Sequence, residues 1–212
     1  MAHSHGEGFT WVALTVLGLV AGLALALPLG VPIFAVLGAM VGTPVVLSIV
    51  GFGLGTAQWP IIRRHVASSG WWIVVSALGM GVGLTVGVIL VEQVGRAVLG
   101  GQVNFRMLGV AGRAASFGTI GMVGGASLGL AQWLVLRRHE ANCKSWIIVN
   151  ALSLAVGLAS GSLVADVLVA RSHSLASVGI MIAIGSTLAG ACTANALGKI
   201  FSPGRELSAA QR

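Results

Sequence analysis

Six apolar runs, separated by short polar breaks, make up most of this chain. They lie at approximately Phe9–Leu29, Ile33–Trp59, Trp71–Val91, Ala111–Leu134, Trp146–Val169 and Leu175–Leu197. Each reaches the ~20 residues that an α-helix needs to cross the hydrocarbon core of a bilayer. The breaks carry turn or charge signals: "PLGVP", "RRHVASSG", "EQVGRAVLGGQVNFR", "RRHEANCKS" and "RSHS". The pattern predicts an all-α integral membrane protein of six transmembrane helices, with residues 1–212 forming one transmembrane domain. Pro44 lies inside the second run, where a kink is tolerable if neighbouring groups satisfy the freed carbonyl.

Composition removes the soluble alternative. Of 212 residues, 56% are apolar and only 8% charged, against roughly 25% charged in soluble globular domains. So few charges do not cover a water-facing surface. The segment "MAHSHGEG" has no basic leader region, so the first run is expected to be a retained span. Cys143 and Cys192 are far apart and show neither a metal spacing nor a disulfide framework. The net charge of +7 fits basic loops that set membrane orientation, with no need for a nucleic-acid partner.

Orientation follows from the distribution of Lys and Arg. With six spans, Arg63, Arg64, Arg137, Arg138, Lys144, Lys199, Arg205 and Arg212 share the side of both termini. Arg96, Arg106, Arg113 and Arg171 fall on the other side. Eight against four places both termini in the cytoplasm. All six tryptophans then fall at cytoplasmic span ends, where indole rings usually mark the interface.

The chain also repeats itself. Shifted by 74 positions, Gly51–Gly87 aligns without gaps on Gly125–Gly161, and nineteen of the 37 positions are identical. The matches include Gln58/Gln132, Trp59/Trp133, Arg63/Arg137, Arg64/Arg138, His65/His139 and Trp72/Trp146. Drift among Gly, Ala, Val and Leu does not produce matched Gln, Trp, Arg and His. A weaker echo relates Trp11–Leu23 to Trp72–Leu84, and Ala194-Asn195 is aligned with the Ala-Gln of spans two and four. Three tandem helical hairpins, repeated in parallel around a pseudo-threefold axis, are therefore expected; this differs from the inverted repeats of many secondary transporters. Glycines four residues apart, as in Gly79/Gly83/Gly87 and Gly121/Gly125/Gly129, put small residues on one helix face and let backbones approach.

Candidate chemistry is sparse. In the cassette Q-W-x-x-[IL]-R-R-H, Trp59 and Arg63, and likewise Trp133 and Arg137, lie one helical turn apart and are expected to stack. Such a cation–π contact is worth on the order of 1 kcal/mol at an exposed interface. Arg64 and Arg138 then face anionic lipid headgroups or a protein partner. Glu92 and Asp166, which are repeat-equivalent, and Asn150 are the residues for a polar path through the spans. Arg96 stands four residues after Glu92, a spacing that suits pairing at a helix end. His65 and His139 are the pair a haem, a pigment or a metal would use, although each follows two Arg that disfavour a cationic ligand. Ser76, Thr85, Asn150, Ser160, Asn195, Gln58 and Gln132 supply the remaining polar groups for bonds between helices, and no catalytic motif is recognisable.

The cassette, followed by a Trp-led span with "ALGMGVGL" or "ALSLAVGL", resembles that of small bacterial polytopic membrane proteins with repeated hairpins. That group brings no established activity, so the resemblance implies a fold and no reaction. The function expected is non-enzymatic: a structural or accessory subunit of a membrane complex, with a protein partner or further copies of itself. A channel or transporter for small solutes or ions is the alternative, and a pigment- or haem-binding protein the third. No metal or resident cofactor is expected under the first two.

Overall fold

The computed structural model describes residues 3–66, 69–101, 104–105, 108–138, 143–169 and 175–200. All of its elements are helices: α1 His3–Ile62, α2 Gly70–Leu99, α3 Val110–Leu136, α4 Ser145–Val169 and α5 Leu175–Ile200. Among the described residues, four of them are long and apolar enough to cross a membrane: Gly6–Ile62, Gly70–Val98, Val110–Leu136 and Ser145–Ala165.

Among the described residues the separate elements number five where the hydropathy pattern predicts six. The difference lies in α1, which joins the first two apolar runs. The predicted break at "PLGVP" does not form, and the helix continues through Pro28 and Pro32. The backbone departs from helical geometry at Gly38 instead, with φ 69° and ψ 174°. A residue with a Cβ rarely adopts that φ, whereas glycine does so freely. Proline removes one donor and crowds one carbonyl but leaves φ helical, so it bends a helix more readily than it reverses a chain.

The chain does reverse within α1. Gly30 lies against Val46, Gly22 against Val50 and Gly18 against Gly53 and Leu54, while Gln58 donates to the hydroxyl of Thr15. One partner's number falls as the other's rises, which is the signature of two antiparallel arms meeting near Gly38. The proline of the first cassette, Pro60, also stays inside the helix, and Arg63 N–H still reaches the carbonyl of Trp59 at 2.9 Å.

The arms and helices close into a ring: the second arm of α1 packs on α2, then α2 on α3, α3 on α4, α4 on α5, and α5 back on α1. Glycine makes each approach possible. A β-carbon at Gly157 would stand 2.8 Å from the carbonyl oxygen of Gly185, and one at Gly83 3.0 Å from the Cα of Gly124. Three further contacts repeat one another: Gly55 on Ile73, Gly129 on Ile147, and Gly190 on Val12. Backbones this close gain dispersion contacts that lipid tails do not outcompete. The outer surface is apolar, with Phe52, Leu78, Leu130 and Leu152 pointing outward.

Candidate functional site

The interior of the ring is organised around three tryptophans. Trp11, Trp72 and Trp146 are buried and pack against one another as a triangle. Their ring centroids are 6.5 Å (Trp11–Trp72), 6.1 Å (Trp11–Trp146) and 6.1 Å (Trp72–Trp146) apart, with interplanar angles of 68°, 71° and 54°. The two edge-to-face pairs made by Trp11 each contribute about 0.5–1.5 kcal/mol beyond area burial, and the Trp72–Trp146 pair is tilted. This corrects the expectation that all six tryptophans mark the interface. Trp71 does face outward, but its neighbour Trp72 is fully buried.

A buried indole needs an acceptor, and each finds one on a neighbouring helix. Trp72 Nε1–H donates to Gln58 Oε1 at 3.3 Å, and Trp146 Nε1–H to Gln132 Oε1 at 3.0 Å. Trp11 Nε1–H donates to the hydroxyl of Thr193 at 2.9 Å. The two amides then pass the network on. Gln58 Nε2 donates to Thr15 Oγ1 at 3.0 Å, and Gln132 Nε2 to Ser76 Oγ at 2.9 Å. Thr193, and not Asn195, therefore does for Trp11 what Gln58 and Gln132 do for Trp72 and Trp146; Asn195 is exposed. The sequence signal for Thr193 is the shift of 61 that relates Trp11 to Trp72, because the same shift carries Gln132 onto residue 193.

Beneath the triangle lies a cavity of about 30 Å³. Its polar lining comprises Thr15, Gln58, Gln132, Asn150, Ser153 and Thr193, and its apolar lining includes Leu54, Leu128 and Ala189. Among the described residues no ionisable side chain faces it. Asn150, a candidate from the sequence, is buried here and donates to the carbonyl of Trp146 at 2.8 Å. Ser153, which the sequence does not single out, is 4% exposed, and among the described residues its hydroxyl has no hydrogen-bond partner. An unsatisfied buried hydroxyl costs about 1–3 kcal/mol.

The other candidates are not drawn into this centre. Glu92 pairs with Arg96 at 3.6 Å near the far end of α2, with both side chains nearly half exposed. Sixteen residues separate Glu92 from Ser76, the equivalent of Asn150, which is about 24 Å at 1.5 Å per residue. Glu92 and Asn150 thus do not share one site. The side chain of Asp166 lies outside the described residues.

At the tryptophan end, Arg63 sits over the ring of Trp59 at 4.8 Å and Arg137 over Trp133 at 4.9 Å. Trp59 Nε1–H is in turn anchored on Ser69 Oγ at 3.1 Å. Arg64 and Arg138 are exposed beside them. His65 is also exposed at this edge, and His139 lies outside the described residues, so the geometry of that pair is not defined. Among the described residues no three His, Cys, Asp or Glu side chains gather as a metal site. Compared with family models, curated proteins and solved structures, the chain matches none.

Proposed function

We propose that this chain is a non-enzymatic, six-span protein of the bacterial cytoplasmic membrane, built as three hairpins with both termini inside. In this reading it serves as a rigid structural or accessory subunit of a larger membrane complex. One observation carries the reading: the amides of Gln58 and Gln132, the hydroxyls of Thr15, Ser76 and Thr193 and the three central indoles are tied by hydrogen bonds between neighbouring helices, and the tryptophan triangle fills the axis. Groups held this way are set for rigidity. What remains to meet other molecules is the apolar flank and the basic edge of Arg63, Arg64, Arg137 and Arg138. Purification from native membranes in mild detergent, followed by native mass spectrometry, tests the proposal. A stoichiometric protein partner or a defined homo-oligomer is expected; a monodisperse monomer without a partner rejects it.

A second reading, a closed conduit for small neutral solutes, draws support from the polar cavity behind the triangle. Among the described residues its lining carries no charge, which favours neutral cargo over ions. Proteoliposome swelling separates the two readings. If Trp72→Ala opens flux of water or glycerol, the conduit gains; if flux stays at the level of empty liposomes, the subunit reading stands.

A further inference from the structure

The cavity arises where the third hairpin departs from the other two. On the outer arms, Leu54 and Gln58 in the first hairpin correspond to Leu128 and Gln132 in the second and to Ala189 and Thr193 in the third. Both changes shorten the side chain and open space beside the axis. On the partner arms the change runs the other way. Gly18 and Gly79 correspond to Ser153, and Thr15 and Ser76 to Asn150, so the third hairpin gains polar groups. In the first two hairpins a β-carbon at the glycine would press on its neighbour, 2.8 Å from Ala57 Cβ at Gly18 and 2.9 Å from Leu128 Cα at Gly79. Ser153 instead opens onto the same cavity as Ala189.

We infer that the third hairpin is built to bind internal water, held on Ser153 Oγ, Asn150 and Gln132. The space of about 30 Å³ admits about two waters at roughly 10–15 Å³ each, and a site with several polar partners fills whereas an apolar one stays dry. Capacity is present on each partner. Ser153 Oγ has no protein partner among the described residues. Asn150 uses one amide proton on Trp146 and keeps its carbonyl oxygen, and Gln132 keeps one amide proton after bonding Ser76. Water there takes the place that the first two hairpins fill with the side chains of a glutamine and a leucine.

Oxygen-17 relaxation dispersion on the full-length protein in detergent micelles, with water itself as the probe, counts long-lived internal waters. The wild type is expected to show them and Ala189→Leu, which restores the residue of the other two hairpins, to lose about two. Equal signals in the two proteins, or no dispersion in the wild type, overturn the inference. Ser153→Ala gives an independent readout if Ala189→Leu does not fold. A hydrated hydroxyl predicts an unchanged or lower melting temperature for Ser153→Ala, and a dry, unpartnered hydroxyl predicts a higher one. A higher value means only a packing defect and rejects the site.

Discussion

Trp71 and Trp72 are neighbours in the chain with opposite fates, the first 60% exposed and the second 0%. That both sit at the start of a helix was legible from the sequence, but facing was not. Distinguishing them needs the partner: Gln58 lies fourteen residues before Trp72, and Gln132 fourteen before Trp146, and in each pair the indole donates to the amide. Thr15 and Ser153 escaped notice because a single hydroxyl within an apolar run looks the same whether it faces a neighbour, lipid or a cavity. The bonds at Gln132 make a graded prediction. Trp146→Phe strands one acceptor, Gln132 Oε1, whereas Gln132→Leu strands both the Trp146 indole N–H and the Ser76 hydroxyl. Each stranded buried group costs about 1–3 kcal/mol. Unfolding in mixed micelles, followed by circular dichroism, should therefore rank wild type above Trp146→Phe, and Trp146→Phe above Gln132→Leu. An equal loss in the two variants would mean that Gln132 acts only by its volume.

At the scale of elements, helix type and the glycine faces were plain from the spacing, while the first turn was misplaced. Proline and glycine both punctuate a sequence, and "PLGVP" looks like the stronger break. The geometry needed to reverse the chain is a positive φ, and only Gly38 and Gly100 adopt one among the described residues. A β-carbon at Gly38 meets nothing within 4 Å, so Gly38→Ala tests backbone strain alone; at φ 69° and ψ 174°, a region essentially confined to glycine, it should cost about 1–3 kcal/mol. The glycines at helix crossings fail for the opposite reason. Gly157→Val drives methyl groups into the Gly185 backbone, and overpacking of this kind costs typically 1–3 kcal/mol, or more where neither backbone yields. Gly70, in the first turn of α2, also has open space around its would-be β-carbon. Gly70→Ala should be neutral or stabilise by up to about 1 kcal/mol through helix propensity. The same micelle unfolding assay separates the three glycine classes. A Gly157→Val variant as stable as wild type would remove the argument that this crossing is set by close approach.

For the molecule as a whole, orientation is the property that contacts inside the ring leave undetermined, because the packing is the same whichever way the protein faces. The turn between α1 and α2 and that between α3 and α4 lie at the tryptophan end, and the connection between α2 and α3 at the other. The proposal of cytoplasmic termini therefore rests on charge. Arg63, Arg64, Arg137 and Arg138 supply half of the eight basic residues assigned to the cytoplasmic side. Replacing all four with Gln leaves four against four, and the electrostatic bias that selects one insertion disappears. The readout is a cysteine at Gly101, an exposed position at the end opposite the tryptophans, introduced with Cys143→Ala and Cys192→Ala as background. With the native arginines, a membrane-impermeant maleimide should label Gly101→Cys in intact cells. In the four-glutamine variant the labelled fraction should fall to about half, as the two orientations become comparable. Adding Arg96→Gln and Arg113→Gln to that variant leaves the far side with two basic residues and should return labelling toward the native level. If the four-glutamine protein is labelled as fully as its parent, the arginines do not set orientation. Their stacking on Trp59 and Trp133, 4.8 and 4.9 Å from the rings, then becomes the whole of their structural role, and the basic edge is left for a partner to read.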